Sequence, residues 1–207
     1  CNAPSHIGPL EVRVRDGREV TAVVRAVGAG GGQKLLMIGR AGAGKSVPAE
    51  GLPSILQPRA TEEMIEVSMV HSLAGELMGD KLATQRPFRT PHHSASMAAL
   101  VGGGTRPRPG EVSLAHLGVL FLDELPEFQP GVLDALRQPL ETGETVIARA
   151  NHRIAYPSRI QLVGAMNPCK CGHTAPRTSF NRGPRCAADY LARLSRPPLE
   201  RLHPHIA

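Results

Sequence analysis

The octapeptide Gly39-Arg40-Ala41-Gly42-Ala43-Gly44-Lys45-Ser46 constrains this chain more than any other stretch. It satisfies G-x-x-x-x-G-K-[ST], a loop whose glycines let backbone N–H groups turn inward around phosphate oxygens. In such a loop Lys45 reaches the terminal phosphates and the Ser46 hydroxyl ligates magnesium. The mechanism demands a strand in front and a helix behind. Leu35-Leu36-Met37-Ile38 is a short apolar run bounded by turn residues, the pattern of a strand buried on both faces. Pro48 falls in the first turns of the helix that should follow, where a residue without an N–H can distort it.

A second apolar run, Val119-Leu120-Phe121-Leu122, ends in Asp123 and Glu124. A buried strand delivers such carboxylates to its C-terminal edge, where ligands of open α/β sheets bind. Asp123 is placed to hold magnesium and Glu124 to polarise an attacking water as general base. A third apolar strand, Ile160–Ala165, leads to Asn167, a polar amide at a strand tip.

Between these landmarks the pattern predicts a helix over 61–78. Thr61 is its expected N-cap, Glu62 and Glu63 lie in its first turn, and Ile65, Met69, Val70, Leu73 and Leu77 fall at helical spacing. Residues 1–13 read as an irregular lead-in, 17–27 as a weak helix, and Gln85–Gly110 as an elaborated loop. Pro130 opens a short helix that Pro139 curtails. Thr145–Arg149 and Arg153–Tyr156 read as two arms of a hairpin. Strands alternating with helices imply an α/β fold, a P-loop sheet of about five parallel strands between helices.

Composition bounds the partners. The 207 residues suffice for one α/β domain, and the formal charge of +6 suits a phosphate-rich partner. Aromatic residues make up only 3% of the chain, so bases would find few stacking platforms. The longest apolar run falls short of a membrane span, and four cysteines make no disulfide framework, which points to the cytoplasm. Arg86, Arg89, Arg106 and Arg108 form a basic stretch that would face nucleic-acid phosphates or solvent. Cys169, Cys171 and Cys186, with His173, make a candidate zinc set, ordinary reduced thiols being the competing reading. His71, His92, His93 and His116 read as loop packing in preference to a metal site.

With these motifs in place the chain resembles the magnesium-chelatase-like AAA+ family, most closely its bacterial competence-protein branch. The stretches that carry the resemblance are Leu35–Ser46, Leu52–Leu56, His71–Gly75, Gln85–His93, Ala99–Gly104, Arg108–Leu140, Ala165–Cys171 and Leu191–Arg201. The resemblance implies an ATPase core spanning 1–207, without the family's N-terminal Lon-like domain or C-terminal helical lid. It implies ATP and magnesium held between neighbours in a homo-oligomeric ring, a hexamer. Asn167 becomes the sensor asparagine, and Arg201 of Leu199-Glu200-Arg201 the finger that acts on the neighbouring subunit's nucleotide. For the competence branch the implied substrate is DNA, moved during branch migration. A chelatase subunit, or a decayed module that binds nucleotide without turnover, are the competing readings. Arg40, Pro48, Glu200, Arg196, Pro198 and His203 depart from the family pattern and favour the decayed module.

Overall fold

The computed structural model describes residues 10–13, 34–39, 44–77, 82–104, 107–149 and 152–167. In chain order the strands are β1 (Leu10–Arg13), β2 (Leu35–Ile38), β3 (Phe88–Arg89), β4 (Gly102–Gly103), β5 (Arg108–Pro109), β6 (Val119–Leu122), β7 (Glu144–Arg149), β8 (His152–Pro157) and β9 (Gln161–Met166). The helices are α1 (Ser46–Ile55), α2 (Thr61–Ala74), α3 (Met97–Val101), α4 (Glu111–Leu114), α5 (Pro130–Ala135) and α6 (Arg137–Thr142).

Five strands form one parallel sheet in the order β1-β2-β9-β6-β3. Its three central strands are the three apolar runs, and the pleat sends their side chains alternately to two cores. Leu36, Leu120, Leu122, Leu162 and Met166 join Leu100, Val112, Leu125, Phe128, Val132, Leu133 and Leu136 on one face. Leu35, Met37, Val119, Phe121, Val163 and Ala165 meet Ala49 and Leu52 of α1 on the other. Gly164 of β9 leaves room for this packing: a Cβ there would meet Leu125 and Leu36 side-chain atoms at 3.3 Å.

Several elements differ from the expectation, each for a local reason. Leu10–Arg13, expected to be irregular, is the edge strand paired with β2. The expected loop 85–110 contains β3, α3 and the β4–β5 pair. Phe88–Arg89 is too short to announce itself by periodicity; it is held to β6 by pairing with Val119 and Leu120 and by Phe88 stacking on Phe121, ring centroids 6.2 Å apart. At its foot Gly118 admits no side chain, since a Cβ would lie 2.1 Å from the Pro87 carbonyl oxygen.

Helix α2 begins one residue after its cap, Ala60, and ends at Ala74 because Gly75 takes the left-handed conformation (φ 79°). Thr61 is therefore its first helical residue. Of the expected apolar stripe only Val70 is buried; Ile65, Met69 and Leu73 are exposed, and Val67 and Ser68 face inward instead. The helix is apolar on more than one side, so its sequence alone leaves the buried side undecided. Helix α1 accepts Pro48 in its first turn, where backbone N–H groups have no intrahelical acceptor in any case. Pro53, further in, removes a genuine helical bond, and α1 stops two residues later. Pro139 likewise sits in the first turn of α6; the chain breaks before it, at Leu136, which ends α5.

The hairpin β7–β8 is antiparallel, Glu144 facing Pro157 and Arg149 facing His152. Its inner face is anchored by Ile147, Tyr156, and a Thr145–Ser158 hydroxyl pair at 2.9 Å. Among the described residues no helix is long and apolar enough to cross a membrane.

Candidate nucleotide site

Parallel pairing aligns the ends of β2, β9 and β6. Ile38 lies beside Met166, and Leu122 beside Gly164, so the residues that follow leave the sheet at one edge. Gly39 continues the ladder with its N–H donating to Met166 O at 3.2 Å. Gly44 then takes φ 71°, a conformation that L side chains rarely adopt, and delivers Lys45 to the start of α1.

Lys45 is the centre of the arrangement. Its Nζ donates to Gly39 O at 2.9 Å and to Asn167 Oδ1 at 3.0 Å, although 122 positions separate Lys45 from Asn167. The residue is only 9% exposed. Burial pushes its ammonium pKa down, while the Asp123 and Glu124 carboxylates oppose that shift. Gly39, the acidic pair and the strand-tip amide expected from sequence therefore act on one cation. Helix α1 starts with no side-chain cap and no acidic residue in its first turn. Its N-terminal dipole, without a side-chain cap, favours an anion there. A buried ammonium, a helix start without a side-chain cap and two carboxylates fit a magnesium-bound polyphosphate.

Asp123 accepts the Glu124 N–H at 2.9 Å, and Glu124 stands in the left-handed region (φ 51°, ψ 46°). Both carboxylates are exposed. Arg40, Ala41, Gly42, Ala43, Cys169, Cys171, His173, Cys186 and Arg201 lie outside the described residues.

Two of the arginines expected to face nucleic acid or solvent do neither. Arg86 donates to the backbone carbonyls of Gln57 and Leu117. Arg89 forks onto Glu111 (Nε–Oε2 2.6 Å, Nη2–Oε1 2.8 Å) and onto Glu76 (Nη1–Oε2 2.9 Å). The Glu111 hydrogen bonds, despite opposing burial, raise the guanidinium pKa. Beyond the pairing with β6, this fork ties the two-residue β3 to α4 and to the turn that follows α2. Arg89→Met is expected to destabilise the protein by about 2–3 kcal/mol, because it deprives the Glu76 and Glu111 carboxylates of their shared guanidinium. Arg89→Lys should recover only part of that, having no planar fork. Urea unfolding of the three proteins measures both.

The histidines are scattered by the fold. His71 Nε2 lies 3.1 Å from Leu114 O, and His92 and His93 stack beside the Asp123–Glu124 turn. His116 is wholly buried: its Nδ1 accepts the Arg159 N–H at 3.1 Å, which leaves Nε2–H to donate to Glu66 at 3.0 Å. Arg159 also reaches Glu66, at 2.7 Å. Burial lowers the His116 pKa below its ordinary value, and the histidine's hydrogen bond holds the Glu66 carboxyl below its own. Unfolding frees His116 to take up a proton that the folded ring resists. Stability is thus full above the unfolded value near 6.5 and is lost as pH falls below it, by at most ~1.4 kcal/mol per pH unit from this group. Denaturant midpoints between pH 7.5 and 5.5 should fall in the parent and fall less in His116→Gln.

A parallel sheet with the G-x-x-x-x-G-K-[ST] sequence after one central strand, an acidic pair after another and an asparagine after the strand between them defines a P-loop α/β protein of the AAA+ type. The chain belongs to the family described as magnesium chelatase, subunit ChlI, whose model matches residues 13–207. It is 53% identical over 178 residues to the competence protein ComM of Haemophilus influenzae, covering 84% of this chain and 34% of that protein. It is 49% identical over 186 residues to the uncharacterized protein YifB of Escherichia coli, covering 89% and 35%. The chain thus spans about a third of the length of these curated relatives. A 70-residue stretch, 34% of this chain and 21% of the relative, is 34% identical to the magnesium-chelatase 38 kDa subunit of Cereibacter sphaeroides. Among solved structures, a magnesium-chelatase BchI–BchD complex matches with TM-score 0.56 and 21% identity, over 88% of this chain and 66% of that one. NtrX of Brucella abortus in complex with ADP matches with TM-score 0.51 and 17% identity, over 86% and 33%.

Proposed function

We propose that this chain is the ATP-hydrolysing core of a ring-shaped motor that processes DNA. The observation that carries the nucleotide part is the convergence of Gly39, Lys45 and Asn167 at the edge that also bears Asp123 and Glu124. Lys45 binds the terminal phosphates, Ser46 and Asp123 hold magnesium, Asn167 reads the terminal phosphate, and Glu124 takes the proton of the attacking water. The metal supplies charge neutralisation at the phosphate oxygens. Arg201 of one subunit completes the site of its neighbour in a hexamer, a role worth about 10³–10⁵ in rate where it has been isolated. A cytoplasmic location and an ATPase core extending over the whole of 1–207 belong to the same reading.

The DNA part rests on the 53% identity to a protein named for competence and on the positive charge of the chain. Its test is hydrolysis by the full-length protein with and without branched DNA, alongside strand exchange on a synthetic four-way junction. Stimulation and ATP-dependent migration support the reading; hydrolysis indifferent to DNA contradicts it. The local similarity to a magnesium-chelatase subunit favours a second reading, in which the same site drives metal insertion into a porphyrin. That reading requires hydrolysis to respond to the partner subunits of such an enzyme, and not to DNA.

A further inference from the structure

We propose that His93 is a positioning residue for Glu124, holding the carboxylate through its Nδ1; this rests on the reading of Glu124 as general base. The backbone of Glu124 is pinned on both sides, its N–H by Asp123 Oδ1 and its carbonyl by the Glu127 N–H at 2.7 Å. It holds a left-handed conformation uncommon for a residue with a side chain. The carboxylate beyond that fixed backbone is half exposed. Among the described residues its ion-pair partner is His93, with Nδ1 3.7 Å from Oε2.

The imidazole is itself held on a shelf. It packs against His92 at a 35° tilt, ring centroids 4.0 Å apart, and meets the buried Phe128 edge-on at 6.5 Å. His92 is anchored in turn, with Ser94 Oγ at 2.7 Å and the Ser94 N–H at 3.3 Å from its Nδ1. The segment carrying both rings begins at Arg89, whose fork ties it to α4 and to the turn that follows α2. The ring, packed on two sides, thus faces a carboxylate whose backbone is hydrogen-bonded on both sides. From 3.7 Å, a small rotation of the Glu124 side chain brings the pair to hydrogen-bond distance. One orientation of the base is thereby favoured over its other rotamers. Small misplacements of reacting groups are costly in rate, and the same interaction leaves nucleotide binding untouched.

The experiment is steady-state Mg-ATP hydrolysis and nucleotide binding by the full-length protein. His93→Phe keeps the ring packed on His92 and Phe128 but removes both nitrogens. It is expected to lower kcat about tenfold or more with ATP affinity within about twofold. His93→Asn, whose amide nitrogen falls close to the position of Nδ1, should regain most of the loss. His93→Gln, whose amide falls nearer Nε2, should regain little. In the Glu124→Gln background His93→Phe should add no further loss, since both changes act through one group. His93→Phe turning over like the parent, losing ATP affinity in step with kcat, or multiplying the Glu124→Gln defect overturns the inference alone. A parent without turnover, or a fully active Glu124→Gln, overturns the reading of Glu124 and this inference with it.

Discussion

Glu124→Gln is expected to lower ATP turnover by about 10²–10⁴, the range that a positioned general base contributes. That is equivalent to about 2.7–5.5 kcal/mol of barrier. The substitution is isosteric, and the residue sits half exposed at a turn whose backbone hydrogen bonds do not involve its side chain. The fold and the phosphate site should therefore survive it. Affinity for Mg-ATP is expected within a few-fold of the parent, so the variant should accumulate with nucleotide bound and unhydrolysed. Single-turnover hydrolysis, read beside equilibrium binding, separates the two effects. A variant that loses binding and turnover together would place Glu124 among the binding groups and leave the base unassigned.

Much of the site was legible because its chemistry is carried by contiguous residues whose context is local. Gly39–Ser46 announces a phosphate loop, and the apolar run before it announces the strand that loop needs. Val119–Leu122 works the same way for Asp123 and Glu124. Asn167 is more ambiguous, since an Asn before a proline is first of all a turn residue. Its role as a partner of Lys45 becomes visible only when β9 is seen between β2 and β6.

What stayed hidden depends on pairing across the chain. Phe88–Arg89 and Leu10–Arg13 are strands because a neighbouring strand offers its edge, and neither carries a pattern long enough to show it. The same holds for the arginines. Arg89 is indistinguishable in sequence from Arg108, yet Glu76 and Glu111 consume its charge while Arg108 stays exposed. The side of α2 that is buried was misjudged because Ile65, Met69 and Leu73 form as plausible a stripe as Val67 and Val70. Packing against the rest of the fold, not periodicity, decides between them. His93 lies in the Gln85–His93 stretch that carries the family resemblance, but its nearness to Glu124 shows only in the fold.

The site at the head of α1 is the part of the account on which the rest depends, and Lys45 is its most exposed point to experiment. Burial pushes the ammonium pKa down, and among the described residues its Nζ donates to a backbone carbonyl and an amide oxygen. Removing the ammonium relieves that burial as it removes those hydrogen bonds, so the nucleotide-free protein should remain folded. Nucleotide binding should be lost. The direct measurement is thermal unfolding with and without saturating Mg-ATP, for the parent and for Lys45→Ala. Nucleotide at a hundred times its dissociation constant should stabilise the parent by about 2.7 kcal/mol and leave the variant unshifted. A folded parent that does not shift, or a variant that shifts as far as the parent, would contradict the assignment of Gly39–Ser46 as the nucleotide site.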